Sequence, residues 1–404
     1  MARLDGIGLR VARWRDASGM TQQELANRIG TSREYISLIE NGRRAVTSRS
    51  VVIALATALG VSLTDLTGQP YQPSSRADRL LFACVPALRT ALDDDPEPQP
   101  PPDLDRLAQD VETVMAARMR CDYPTVSALL PGLIVAVRQF GQLAEPETDA
   151  GRTALPLTVK ILHTAAMAIK SFGYVDLGLR FAERAQATAR LLGEPTYLAA
   201  GDYTFAQCVL TAGSYRRSSH LATKAAGQLG DIGDEEHLTW YGMLHLHAAF
   251  VSAVLGDAPT MESHLSEAQA TAGRVRGNPW HVEFGEVNVA IWRIGCALES
   301  GESGRVPALA REVDQAKIRT VHRRARLHID AGRGYYATGD SRAAVRQFLR
   351  ADDVSAQEVR SRPQVREITA QIVRDTRRAG GDAGLCELAT RLGIDPLDPP
   401  EHVA

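Results

Sequence analysis

Lysine is nearly missing from this chain of 404 residues, which has Lys160, Lys170, Lys224 and Lys317 against 42 arginines. With the abundance of alanine, that bias matches GC-rich coding better than any chemical requirement. Cysteine offers no framework either. Cys84, Cys121, Cys208, Cys296 and Cys386 are dispersed, and they lack both a CxxC pair and histidines at ligand spacing. They are expected to be reduced core thiols, so neither a disulfide scaffold nor a zinc site follows from them. No apolar run reaches the 18 residues that a membrane span needs, and the start Met-Ala-Arg-Leu-Asp has no signal-peptide pattern. The expectation is a cytoplasmic protein without membrane contact. Nucleophile elbows, glycine-rich phosphate loops ahead of a helix and HExxH are all lacking. His245 and His247 come nearest to a metal pair, but two residues apart on a helix they point about 200° from each other. No enzyme activity, metal or cofactor is therefore expected.

What the chain does have is an uneven charge. A net charge of −2 excludes coating nucleic acid by bulk charge. Residues 1–70 carry nine arginines and six carboxylates, a net +3, which leaves −5 for the remainder. Any nucleic-acid contact thus belongs to the N-terminus. There, residues 21–41 read as two short helices around a tight turn. Thr21 is a good N-cap, and Glu24 three residues on completes a capping box. Leu25, Ala26 and Ile29 recur at helical spacing, with Ala26 small enough to let a second helix cross close by. Gly30 sits where the first helix must stop and the chain must turn, a position that favours positive φ. Ser32 caps the next helix, whose inward positions are Ile36 and Ile39. Ser32, Arg33, Glu34, Ser37 and Leu38 then face outward, where a helix lying in the major groove presents side chains to base edges.

The flanks extend the pattern. Leu9, Val11, Ala12 and Trp14 form an apolar stripe on a helix ending at Gly19. Asn41-Gly42 ends the second helix of the motif, and Arg43-Arg44 follows. Val51, Val52, Leu55, Ala56 and Leu59 make a fourth helix stopped by Gly60, and Ser62 caps a fifth carrying Leu63 and Leu66. Residues 6–68 so read resemble the Cro/cI-type (XRE-like) DNA-binding domain of phage repressors. The matching positions are Gln22, Glu24-Leu25-Ala26, Gly30, Ile36, Glu40-Asn41-Gly42 and Leu59-Gly60-Val61-Ser62. The resemblance implies that Gln22 and Asn41 bond DNA phosphates, that Arg43 and Arg44 add backbone contacts, and that Ser32, Arg33, Glu34 and Leu38 read bases. It also implies a partly buried salt bridge between Arg15 and Glu40. Where relatives often carry Gln at base-reading positions, this chain has Arg33 and Glu34. Arg pairs bidentately with guanine and Glu accepts from cytosine N4, which points to a G/C-containing half-site; a solvated pair or a phosphate contact is the alternative.

After this 1–68 domain, residues 69–103 are expected to be a linker: a helix from about Asp78 to Leu92, then Asp93–Asp103 with five prolines and five acids. That composition is expected to be extended and solvated, leaving the DNA-binding head tethered rather than fused. Residues 104–395 read as helix pairs, with 396–404 a tail. Turn sites fall at Asp122-Tyr123, Gly173-Tyr174, Gly213-Ser214, Gly256-Asp257, Gly301-Glu302, Gly339-Asp340 and Gly380-Gly381, and from Gly173 onward the intervals are 40, 43, 45, 38 and 41. An Ala/Leu-rich helix precedes each turn and an amphipathic one follows, the signature of an α-solenoid of about seven pairs. The pairs resemble degenerate tetratricopeptide repeats, most closely at Gly339-Asp340-Ser-Arg-Ala-Ala-Val-Arg-Gln-Phe and Gly173-Tyr174-Val-Asp-Leu-Gly-Leu-Arg-Phe-Ala. The fold class is therefore all-α, a five-helix head followed by a solenoid.

Head plus solenoid resembles the Rgg/PlcR/PrgX-like regulators, and still more the actinobacterial XRE-type regulators with tetratricopeptide-like C-terminal halves. The resemblance implies a sequence-specific, homodimeric regulator that binds double-stranded DNA. Its solenoid would dimerise and take a peptide or small-molecule effector. A protein-interaction scaffold, with DNA binding secondary, is the alternative. Within the solenoid, asparagine occurs only at Asn278 and Asn288. Asn288 lies mid-helix, where Asn is unfavourable, and reads either as a clamp on a ligand backbone or as a satisfied core amide. Trp240, Tyr241, His245, His247, Phe250, Trp280, His281, Phe284 and Trp292 cluster around it with Arg293. From this group Trp240, His247, Asn288, Trp292 and Arg293 are the effector candidates, against inter-repeat packing as the competing reading. Asp202 and the Asp231–Glu236 run read as helix-end charges.

Overall fold

The computed structural model describes residues 6–71, 79, 82–93, 103–143, 148–376 and 382–394. The proline run from Pro96 to Pro102, the Gly380-Gly381 turn and the tail 396–404 lie outside them. Among the described residues the chain forms helices and no strand. The head contains α1 (Ile7–Ala17), α2 (Gln22–Ile29), α3 (Arg33–Glu40), α4 (Arg49–Leu59) and α5 (Leu63–Thr67). Ile7, Val11, Leu25, Ala26, Ile36, Ile39, Val52, Leu55 and Leu66 make one apolar core. Gly8 lets α1 cross the end of α3 at close range: a Cβ there would stand 2.0 Å from the Ile39 carbonyl oxygen. Trp14, expected on the apolar stripe, is 39 % exposed, and Ile7 fills the core instead. Trp14 lies about two helical turns beyond Ile7, near the end of α1 at Ala17.

After α6 (Cys84–Asp93), the described residues form seven helix pairs. They are α7 (Leu104–Met119) with α8 (Tyr123–Leu143), α9 (Asp149–Ser171) with α10 (Val175–Leu192), α11 (Pro195–Thr211) with α12 (Tyr215–Leu229), and α13 (Glu235–Leu255) with α14 (Ala258–Ala272). Then come α15 (Glu286–Glu299) with α16 (Val306–Glu312), α17 (Val321–Ala337) with α18 (Ser341–Arg360), and α19 (Pro363–Thr376) with α20 (Ala383–Arg391). The first helix of each pair packs on the first helix of the next, from α9 through α17, and forms the inner row. The coil turns back far enough that α7 touches α17. The buried Tyr123 hydroxyl donates to Glu358 Oε1 at 2.5 Å across this return. Helix α13 is 21 residues long and apolar enough to pass for a membrane span, yet 89 % of its most apolar stretch is packed inside the protein. A helix apolar all round is a core helix.

The fifth pair departs from the expected pattern. Ahead of the Gly301 turn, Trp280, His281 and Glu283 adopt positive φ, and α15 begins only at Glu286. After Gly301, the short α16 replaces a full amphipathic helix. Asp202 is not at a helix end: it lies within α11 and accepts from Gln186 Nε2 at 2.6 Å. Asp234, by contrast, caps α13 by accepting from the His237 amide at 2.9 Å. Cys386 is exposed rather than in a core, because it sits on the outer face of the terminal helix.

The head is docked, not merely tethered. The Ile7 amide donates to Glu367 Oε1 at 2.8 Å and the Arg49 amide to Glu299 Oε2 at 3.0 Å. Arg333 Nη2 donates to the Thr47 carbonyl at 3.1 Å, Arg374 Nε to that of Gly42 at 2.9 Å, and Gln69 Nε2 to that of Ser361 at 3.0 Å. The reason lies in the helix ends. The first amides of a helix have no partner inside it. Helices α2, α3 and α5 satisfy theirs with Thr21, Ser32 and Ser62, whereas neither Gly6 nor Ser48 supplies a side-chain cap to α1 or α4. Those two bare ends are the ones that solenoid carboxylates cover. Linker composition governs the connection alone; it is silent about what the head's own uncapped ends bind.

Candidate nucleic-acid interface

The α2–α3 unit is built by local capping. Thr21 Oγ1 accepts from the Glu24 amide at 3.2 Å, and Glu24 Oε2 accepts from the Thr21 amide at 2.7 Å. Gly30, at φ 68°, turns the chain, and Ser32 Oγ accepts from the Tyr35 amide at 3.1 Å to start α3. With Ile36 and Ile39 buried below, Ser32, Arg33 and Glu34 are exposed, and Ser37 and Leu38 are half-exposed on the same outer side. Beyond the helix, Asn41, Arg43 and Arg44 are exposed.

One carboxylate fixes the orientation of this helix. Glu40 accepts from Arg15 Nε at 2.6 Å, Arg15 Nη2 at 2.9 Å and Gln22 Nε2 at 2.8 Å. The Arg15 and Glu40 side chains are 12 % and 5 % exposed. Arg15 also donates to the Met20 carbonyl at 2.8 Å, so α1, the start of α2 and the end of α3 meet at one guanidinium. The hydrogen bond to Glu40 raises the Arg15 pKa above its usual value. Asn41 Nδ2 donates to the Ser37 carbonyl at 2.9 Å. The Arg44 guanidinium stacks 4.8 Å from the Tyr35 ring centroid, which leaves its donors directed outward.

Comparison with known proteins addresses the same segment. Residues 7–67 match the family described as "Helix-turn-helix domain". An uncharacterized HTH-type transcriptional regulator, y4dJ, of Sinorhizobium fredii is 43 % identical over 60 residues, covering 15 % of this chain and 77 % of that protein. The chain belongs to the helix-turn-helix transcriptional regulators. Among solved structures, Bacillus thuringiensis PlcR in complex with the peptide PapR7 and DNA aligns with 67 % of the regulator and 95 % of its own chain, at 15 % identity and a TM-score of 0.30. The regulator is DNA-binding and all-α, with a helical-repeat region behind its head.

The effector candidates are not brought together. Trp240 is wholly buried, its ring 5.0 Å from Trp280 and 5.3 Å from Tyr203. His247 is also buried, in contact with Gln207 at 2.8 Å and Ser218 Oγ at 2.7 Å, and burial lowers its pKa to about 3. Asn288 is 2 % exposed and its Nδ2 meets Met243 Sδ at 3.7 Å. Arg293 lies at the surface, donating to both Glu262 oxygens at 2.9 and 3.0 Å. Of the five, Trp292 alone lines the cavity between head and solenoid. Trp240, His247 and Asn288 share a residue type with ligand-binding groups, but they lie on the packed sides of their helices and point into repeat contacts. What sequence reasoning missed was this junction: Glu299, Glu367, Arg333 and Arg374 on the solenoid, and the cations of the cavity. A signal existed in Arg326, Asp330 and Arg333, spaced along one face of a helix whose neighbours are apolar.

Proposed function

We propose that the regulator binds operator DNA through α3 as a homodimer, and that its repeat domain joins the two copies and takes a peptide or small-molecule effector. The observation that carries the DNA reading is the mounting of α3: exposed Ser32, Arg33 and Glu34 on a helix pinned through Glu40 to Arg15 and Gln22. Ser32, Arg33, Glu34, Ser37 and Leu38 then face base edges. Gln22, through its second amide N–H, and Asn41 hold phosphates, Arg43 and Arg44 add charge contacts, and Arg15 and Glu40 are structural. The chain divides into the head (1–68), a connection (69–103), the repeat domain (104–395) and a tail (396–404), and it acts in the cytoplasm.

A dimer is favoured because one small head buries too little surface for tight specific binding, while two half-sites about 34–36 Å apart add their energies. The effector acts by favouring one arrangement of the heads over another. Footprinting on the promoter next to its own gene, with sedimentation of the free protein, tests this. Two half-sites protected together by a species of twice the chain mass are expected. A single protected site bound by a monomer would overturn the dimer.

A further inference from the structure

A cavity of about 230 Å³ lies between the head and the inner face of the solenoid. Six cationic side chains line it: Arg49 from the head and Arg118, Lys170, Arg323, Arg326 and Arg362 from the solenoid. Among the described lining residues the one carboxylate is Asp330, already taken by Arg326 Nε at 2.5 Å and Arg333 Nη1 at 3.2 Å. Arg362 pairs outside the cavity with Glu358 at 3.0 Å. Lys170 Nζ donates to an amide oxygen, that of Gln207, at 2.7 Å. The Nε atoms of Arg49, Arg118 and Arg323 have no partner among the described residues, nor do His163 Nε2 and Trp292 Nε1. Arg323 is 9 % exposed and His163 is 1 % exposed. Burial, reinforced by neighbouring arginines, holds Lys170 down at about 8 and lowers Arg118 and Arg323 as well. Such a set of cations is costly to bury without counter-charge. Guanidinium forks and the indole N–H are the donors that oxyanions need.

We propose that this cavity binds a small oxyanion, a carboxylate or a phosphate compound, carrying at least two negative charges, gripped by Arg118 and Arg323 and reaching Arg49. The proposal deepens the effector reading above and rests on it: a ligand touching Arg49 and the solenoid at once favours the docked head. Carboxylate and phosphate share the required chemistry, so calorimetry on the full chain uses citrate and inorganic pyrophosphate as separate probes at matched chloride. The uncharged triethyl ester of citrate is the control. One of the two anions is expected to bind once per chain, the stronger arm naming the chemistry, while the ester gives no heat. Arg118→Met with Arg323→Met should weaken that binding about tenfold or more with an equal or higher Tm in the absence of anion, since unpaired charge is removed. Lys170→Gln supplies an independent test should the double variant fold poorly. Neither anion binding, or variants binding like the parent, would overturn the site. DNA affinity is measured separately with and without the anion. Anion binding that leaves DNA affinity unchanged keeps the site and overturns the effector reading, whereas no anion binding overturns the site and leaves DNA recognition intact.

Discussion

Replacing Glu367 with Ala should loosen the head without unfolding the solenoid. The Glu367 carboxylate accepts from the Ile7 amide at 2.8 Å, and α1 has neither a capping side chain nor an acid in its first turn. It is therefore the only anion at that helix end among the described residues. Loss of an N-cap costs about 1 kcal/mol, and loss of a charge at the positive end of the dipole about 0.3–1 kcal/mol. Burial raises the Glu367 carboxyl above its usual range, so part of that gain is offset, and a net of about 1 kcal/mol remains. That amount corresponds to about a fivefold larger open population. Hydrogen exchange followed by mass spectrometry reads it directly: the α1 segment should exchange about fivefold faster, with α13 unchanged. Unaltered exchange in α1, or an equal increase across the solenoid, would refute the capping argument.

Gly8→Ala should destabilise the head by about 1–3 kcal/mol or more, because a Cβ 2.0 Å from the Ile39 oxygen forces α1 away from α3; thermal melting with DNA binding measures it. Replacing Arg43 and Arg44 with Ala should lower the slope of log K against log salt by about 0.9 for each phosphate that is no longer neutralised, read from titrations at several salt concentrations. Stability should fall in acid through Glu358. Burial alone would raise this carboxyl, but His322, Arg362 and the Tyr123 hydroxyl outweigh burial and hold it at about 2. A lowered folded value means the contribution is present above the usual carboxylate range and is lost as pH falls from about 4.5 toward 2. Denaturant titrations should show that loss reduced in Glu358→Gln.

The head and its reading surface were legible because their determinants are close in sequence. Thr21 with Glu24, Gly30, and Ser32 above Ile36 and Ile39 each act within one helical turn, so spacing alone carries them. The repeat period is similarly local. Docking was not legible, since it joins Ile7 to Glu367 and Arg49 to Glu299, pairs whose separation no pattern records. The cavity was hidden for the same reason: Arg118, Lys170 and Arg323 come from three different pairs and meet only because the coil returns on itself. Trp240 and His247 were chosen by chemical type, yet α13 is packed along most of its circumference, so type did not predict direction.

The central claim is that α3 reads DNA. Fluorescence anisotropy of the full chain on its own promoter, against a scrambled duplex of equal length, tests it with the parent and the Ser32→Ala/Arg33→Ala variant. The parent should prefer the promoter, and the variant should lose about 1–3 kcal/mol of that preference for each bidentate base pairing it can no longer make, while staying folded at a stability lowered by about 1 kcal/mol through the lost Ser32 cap. Equal affinity for both duplexes, or a folded variant that binds the promoter like the parent, would contradict the account.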